Sequence, residues 1–374
     1  MFHLVFGLPW LYVVTRLIWP LPWAIPVKIA VSLLLLVASQ FHLWSRLSSG
    51  SVFTPEFPRP FVMLFNWVFG AIVLLAVFQL ALDLGMLVAM PLWRGNAGVM
   101  VEARYAIGIA AFVIAALGVR QAIRIPPLRD LTIDIPNLPE AFDGYRLVQL
   151  TDLHISRLFP ASWTDAVVDA TNRLGVDLIV VTGDVIDGSV AIRRADVEPL
   201  RGLRAPDGVF LTPGNHEYLS GYDPWMEHLA SLGMRVLANA HAVIARGDDR
   251  FVLAGVTDPS ARAVNRPLPD LEKALEGAPA DVPILLLDHE PRMARRAAER
   301  GVSLQLSGHT HGGMIWGLDR LVARANGGFV SGRYAVKGMT LYVNNGTGIW
   351  PGFALRLGRP SELTRITLRR DDVR

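Results

Sequence analysis

At 374 residues, with 52% hydrophobic and only 18% charged residues, the chain is long enough for two domains and more apolar than an ordinary soluble protein. A formal charge of +3 excludes an argument for nucleic acid from charge alone, and the absence of cysteine excludes a disulfide framework and thiolate metal ligation. Any metal site must therefore be built from His, Asp, Glu or Asn.

In chain order, four apolar segments come first, at 3–21, 27–45, 61–90 and 105–123. Each is near or above the ~20 residues that cross a hydrocarbon core, so residues 1–124 are expected to form a transmembrane helical region of about four spans. Arg16 interrupts the first run, and the Trp19-Pro20-Leu21-Pro22-Trp23 exit is unlike a small-residue cleavage site, so a removed signal peptide is not the expected reading. Trp19, Trp23, Trp44, Trp67 and Trp93 lie at or near segment ends, where amphipathic rings favour the headgroup layer. Asp83 and Gln79 fall inside the third segment; without a basic partner on a neighbouring span, Asp83 is expected near an interface. Four spans place Arg46, Arg59, Arg120, Arg124 and Arg129 on one side and Lys28, Arg94 and Arg104 on the other. The positive-inside bias then favours a cytoplasmic catalytic domain on the cell (inner) membrane.

Ile125-Pro126-Pro127 ends the last span, because proline cannot continue a helix, and a linker is expected over 125–143. Residues 144–374 read as an α/β domain. Strand patterns near 145–150, 178–182, 208–212, 251–256, 284–288, 303–307, 340–344 and 363–369 are joined by helical patterns near 162–174, 223–232 and 290–300. Just after apolar strand runs stand Asp152-Leu153-His154, Gly183-Asp184, Gly214-Asn215-His216-Glu217, His289 and Gly308-His309-Thr310-His311. Open α/β sheets collect ligands at such carboxyl strand ends. Each motif is ordinary alone, but five of the nine histidines fall in this ordered set.

DLHIS, TGDVIDG, GNHEY, LDHEP, SGHTHGG and the closing LRLGRPSELT are similar to the strings of the calcineurin-like metallophosphoesterases, and residues 145–369 resemble that family in its membrane-tethered branch. The resemblance implies two mixed β-sheets packed face to face with helices outside, a four-layer α/β/β/α sandwich with metals at one rim. It implies Asp184 as the carboxylate bridging two metals, with Asp152, His154 and His311 completing one and Asn215, His289 and His309 the other. His216 is then the catalytic histidine, and Asp187 matches a position that holds its tautomer in some branches. Glu217 is expected to make structural hydrogen bonds. Met314 and Asp288 depart from the strings of the tethered branch without touching a ligand position, and His228 and His241, outside the motifs, are expected at the surface.

The chemistry supports such a set on its own terms. A phosphate ester repels hydroxide, so its hydrolysis near neutral pH needs cations that neutralise the phosphoryl oxygens and lower the pKa of a bound water. Mixed nitrogen and oxygen ligands suit Mn, Fe, Zn or Co, with manganese first by resemblance. The expected activity is a metal-dependent phosphodiesterase or phosphatase acting on a lipid-linked or amphiphilic ester, with UDP-2,3-diacylglucosamine pyrophosphatase as a specific form. An inert membrane scaffold is the reading from another class, and the filled motif positions speak against it. A nuclease is disfavoured, because no run of Lys and Arg interleaved with aromatics is present; nucleic acid is not an expected partner, and protein partners are not specified.

Overall fold

A computed structural model describes residues 2–89 and 97–371. The chain divides into two compact units, Met1–Ala122 with Trp350–Leu355, and Ile123–Ile349 with Arg356–Arg374.

The first unit is helical. It runs α1 (Phe2–Val13), a π turn at Val14–Ile18, α2 (Ile25–Ser39), α3 (Phe41–Ser49), α4 (Arg59–Ala89) and α5 (Ala97–Ile123). Among the described residues, only Arg59–Val88 and Met100–Ile123 are singly long and apolar enough to cross a membrane. α2 and α3 make a third only if counted together, because the helix bends by 50° at Gln40. In the first segment the described residues include a shorter apolar helix, Gly7–Ile18, with Pro9 inside α1 and Pro20 and Pro22 soon after Ile18. Trp93 and Arg94 lie outside the described residues.

Asp83 is not without a basic partner, as its isolation in sequence suggested. It accepts from Arg16 Nε at 2.9 Å, Tyr12 Oη at 2.6 Å and Gln79 Nε2 at 2.8 Å, so α1 and α4 share one polar cluster. Such pairing is how an apolar helix tolerates a carboxylate. Asn66 of α4 satisfies two backbone groups of the segment 350–355, donating to Pro351 O at 2.9 Å and accepting from Ala354 N at 2.6 Å.

The second unit holds two six-stranded sheets among the described residues. Their strands are β1 (Leu128–Ile135), β2 (Arg146–Leu150), β3 (Leu178–Thr182), β4 (Val209–Thr212), β5 (Arg235–Val236), β6 (Ala240–Arg246), β7 (Asp249–Gly255), β8 (Ile284–Leu287), β9 (Leu304–Ser307), β10 (Gly332–Val336), β11 (Met339–Val343) and β12 (Leu363–Arg370). The orders are β1-β12-β2-β3-β4-β5 and β10-β11-β9-β8-β7-β6. β2, β3 and β4 are parallel, as are β7, β8 and β9. The helices are α6 (Ala161–Asn172), α7 (Val190–Val197), α8 (Asn215–Ser220), α9 (Tyr222–Ser231), α10 (Leu271–Ala274), α11 (Ala294–Glu299) and α12 (Asp319–Ala325).

Alternation along the strands decides the layers. Leu147, Leu178, Val180 and Phe210 of one sheet pack with Leu253, Leu285, Leu287, Leu304 and Leu306 of the other in a shared core. Their neighbours Val252, Ala254 and Leu286 point outward and pack with Leu271, Ala294 and Ala297 of the helices. Strands covered on both faces read as continuous apolar runs, which is why β3, β8 and β9 were visible in sequence. β1 was not: it lies within the stretch read as linker, as an edge strand parallel to β12 with exposed residues at alternate positions. The helix expected over 290–300 is a 3₁₀ turn at Pro291–Met293 followed by α11. The two surface histidines are also corrected. His228 is buried beside Trp225, and His241 is half-buried with Nδ1 2.8 Å from Ala274 O.

Candidate metal centre

All seven expected ligands lie just beyond carboxyl strand ends: Asp152 and His154 after β2, Asp184 after β3, Asn215 after β4, His289 after β8, and His309 and His311 after β9. Parallel strands deliver their ends to one rim, so residues distant in sequence meet there. The loops turn abruptly. Asp152, His154, Asp184, His309 and His311 all hold positive φ, between 46° and 68°. Non-glycine residues rarely adopt this conformation, and each costs of order 1 kcal/mol or more, so the surrounding structure must enforce it.

Glu217 is one enforcer. Its carboxylate accepts from Gly214 N at 2.7 Å, Asp184 N at 3.0 Å and Val185 N at 2.7 Å, locking the loop after β3 to the start of α8. It thus has the structural role expected from sequence. Gly183, at φ 82°, is another: a Cβ there would lie 2.5 Å from Gly214 N and 2.8 Å from His289 Nδ1. Gly183→Ala is expected to displace His289 and lower stability by roughly 1–3 kcal/mol, read as a fall in thermal midpoint together with lower metal content.

The side chains form two adjoining clusters. In one, His154 and His311 face each other with Nε2 atoms 3.2 Å apart, and Asp152 Oδ1 lies 3.5 Å from His311 Nε2. In the other, Asn215 Oδ1 lies 3.2 Å from His289 Nε2 and 3.0 Å from His309 Nδ1. Asp184 Oδ2 belongs to both, 3.2 Å from His289 Nε2 and 3.8 Å from His154 Nε2. His309 and His311 therefore serve different clusters although one residue separates them.

The protons show what the clusters lack. His289 Nδ1 is 2.7 Å from the Thr182 carbonyl and His154 Nδ1 is 3.0 Å from Asp187 Oδ2, so both rings carry a proton on Nδ1. Their Nε2 atoms are therefore the ones left to take up a second proton or a cation, facing acceptor oxygens and a second imidazole. Such a site demands positive charge. Burial opposes protonating His289 further, yet the Asp184 carboxylate outweighs it and holds His289 well above the usual histidine range. Burial and then the charge of His289 push His309 down to about 3, and burial and then His154 hold His311 far below the usual range, so both stay neutral. Three sets of buried or half-buried ligand atoms, each within 4.8 Å of one another, could hold a cation: Asp152, His154 and His311; His154, Asp184 and His216; and Asp184, His289 and His309.

His216 stands beside the clusters with Nδ1 2.5 Å from Asp187 Oδ1 and Nε2 4.0 Å from Asp184 Oδ2. Burial disfavours its charge, but Asp184 and then Asp187 overcome this and raise it to about 9. Asp187 is shared between His216 and His154, so one carboxylate orients both rings.

Arg356 stands within the LRLGRPSELT string, where nothing in the sequence marks its role. It is fully buried, donating to His311 O at 3.1 Å, Arg359 O at 3.0 Å, Asn345 O at 2.7 Å and Gly348 O at 2.8 Å. Gly348 N in turn donates to Asp152 O at 2.9 Å. One guanidinium therefore ties together the backbone behind two of the expected ligands, His311 and Asp152. An arginine flanked by leucines was the available signal, but sequence does not show that its partners are carbonyls. Arg356→Met is expected to leave those carbonyls unpaired and cost roughly 3 kcal/mol, with Arg356→Lys recovering only part, measured by thermal denaturation.

Residues 145–313 match the calcineurin-like phosphoesterase family. The chain is 36% identical over 270 residues to a transmembrane protein with metallophosphoesterase domain from Danio rerio, across 70% of this chain and 61% of that protein. It is 32% identical over 248 residues to the uncharacterized metallophosphoesterase YkuE of Bacillus subtilis, across 64% of this chain and 84% of that protein. A solved 5′-nucleotidase precursor from Thermus thermophilus aligns with a TM-score of 0.40 and 19% identity, over 60% of this chain and 54% of that one. The matched region thus spans about three fifths of the Danio rerio relative's length. The chain belongs to the calcineurin-like metallophosphoesterase family.

Proposed function

We propose that this chain is a membrane-anchored phosphoesterase that holds two divalent cations and hydrolyses a phosphodiester or phosphomonoester borne by a lipid-linked or amphiphilic molecule. Residues 1–124 serve as the anchor and 144–374 as the catalytic domain. The observation that carries this reading is Asp184 Oδ2, placed between His154 Nε2 and His289 Nε2, whose protons are committed elsewhere.

In this reading Asp152, His154 and His311 hold one cation, Asn215, His289 and His309 the other, and Asp184 both. Bound there, the pair would supply charge neutralisation of the phosphoryl oxygens and an activated water. The remaining work belongs to the chain. His216, protonated and oriented by Asp187, donates a proton from Nε2 to the departing oxygen. Glu217 and Arg356 hold the ligand loops rigid, so that little reorganisation is needed when charge develops. Apolar helices of spanning length confine the site to the layer beside a bilayer, which raises its encounter rate with lipid-borne esters.

With three spans, Arg46, Arg59, Arg120 and Arg124 flank the helices on the side of the catalytic domain against Lys28 and Arg104 on the other; with two, Lys28 joins the first group. The bias supports a cytoplasmic catalytic domain, which a side-selective reporter on the C-terminus tests.

Purified full-length protein is expected to hydrolyse bis-p-nitrophenyl phosphate with Mn²⁺, to lose activity on chelation, and to regain it on adding back Mn²⁺, Fe²⁺, Zn²⁺ or Co²⁺ singly. The order of recovery identifies the preferred ion. Undiminished turnover after complete chelation would overturn the reading.

A further inference from the structure

The loop that carries His309 and His311 continues directly into Met314–Ala325, whose surface is unusual. Trp316 is 74% exposed, Leu321 58% and Leu318 36%. Arg320 and Arg324 are exposed beside them, one helical turn apart on α12, and no carboxylate pairs with either among the described residues. Single exposed apolar side chains are ordinary, but three large ones with two unpaired arginines within nine residues, 316–324, make a compact patch of mixed character.

This exposure does not come from a slack loop. Trp316 N donates to Leu357 O and Leu357 N to Met314 O, both at 2.9 Å. Asp319 is buried, paired with Arg359, and accepts from Gly317 N at 2.9 Å and Arg320 N at 3.0 Å. Asp319 also packs so closely on Gly313 that a Cβ there would collide with its backbone. A rigid frame thus holds the patch out to solvent immediately beside the two histidines.

We infer that Trp316, Leu318, Leu321, Arg320 and Arg324 form a bilayer-docking element that seats the metal centre on an anionic phospholipid surface. The composition suits that occupant. Tryptophan settles at the headgroup layer, leucines enter the acyl boundary, and arginines meet lipid phosphates while their stems cover apolar surface. Helices of membrane-spanning length in the same chain keep such a surface at hand. The inference deepens the proposed function, resting on it only for the claim that the docked surface supplies the substrate.

The test uses full-length protein in nanodiscs. Because the chain has no cysteine, Leu321→Cys introduces a single thiol for a bimane label, with Asp248→Cys in the exposed turn between β6 and β7 as the reference position. In discs of phosphatidylcholine with phosphatidylglycerol, doxyl-labelled lipids are expected to quench the label at 321 but not at 248, and 321 becomes shielded from aqueous iodide. Two arginines, each worth about 1 kcal/mol at an anionic surface, predict a docked fraction roughly thirtyfold more favoured than in phosphatidylcholine alone. Arg320→Glu with Arg324→Glu is expected to abolish that difference while leaving bis-p-nitrophenyl phosphate turnover within about twofold. Equal lipid quenching at 321 and 248, or equal quenching in neutral and anionic discs, overturns the inference. Iodide shielding that appears in detergent and grows with protein concentration overturns it in favour of a second copy. Turnover of the small diester reports separately on the phosphoesterase reading, so the two fail independently.

Discussion

Asp184→Asn is expected to reduce bound metal from two ions to one or none and to lower turnover by roughly a thousandfold or more. Asparagine keeps the size of the side chain and can still accept from His216 N, a bond of 2.8 Å in the wild-type chain, so the loop after β3 should hold its course. What it removes is the negative charge that faces His289 and His154 from between the clusters. Elemental analysis beside the thermal midpoint separates the effects: metal falls, the fold survives when measured without metal. A variant that retains two ions and full turnover would show that Asp184 is not the bridge.

His216→Gln should act differently, leaving both ions in place while slowing turnover by about 10²–10⁴. The ring's Nδ1 partner is Asp187 at 2.5 Å, and its Nε2 lies 4.0 Å from Asp184 Oδ2. If it gives a proton to the leaving oxygen, the defect must depend on that oxygen. Esters of p-nitrophenol, which depart without help, should lose less than alkyl esters of the same phosphate. A uniform loss across leaving groups would instead assign His216 to stabilising phosphoryl charge. Asp187→Asn disturbs both His216 and His154, so it is expected to lower turnover and metal affinity together, each by roughly 10–100-fold.

Much of this site was legible because parallel strands buried on both faces write continuous apolar runs and end in the loops that hold ligands. Leu178–Thr182 before Gly183-Asp184 and Leu304–Ser307 before Gly308-His309 are such cases. The rest was hidden for identifiable reasons. β1 has one exposed face and lies beyond a proline pair, so it reads as linker. Arg356 acts through carbonyls brought in by the fold. The positive φ of five proposed ligands leaves no mark on the residues themselves, since Asp and His say nothing of backbone hand until the loops are closed around them. In the helical unit, length and composition register neither the bend at Gln40 nor the prolines at 9, 20 and 22. Likewise, the partner of Asp83 sits 67 residues away on a different helix.

The strand order β1-β12-β2 has a temporal side. On the ribosome, residues 128–135 emerge early, yet their ladder partner, 363–370, is made more than two hundred residues later, after every loop that carries a proposed ligand. Until then the edges of β1 and β2 that β12 will fill stay open to wrong pairings. Nascent chains halted before residue 363 should therefore be protease-sensitive in this domain even when all seven ligand residues have already been synthesised.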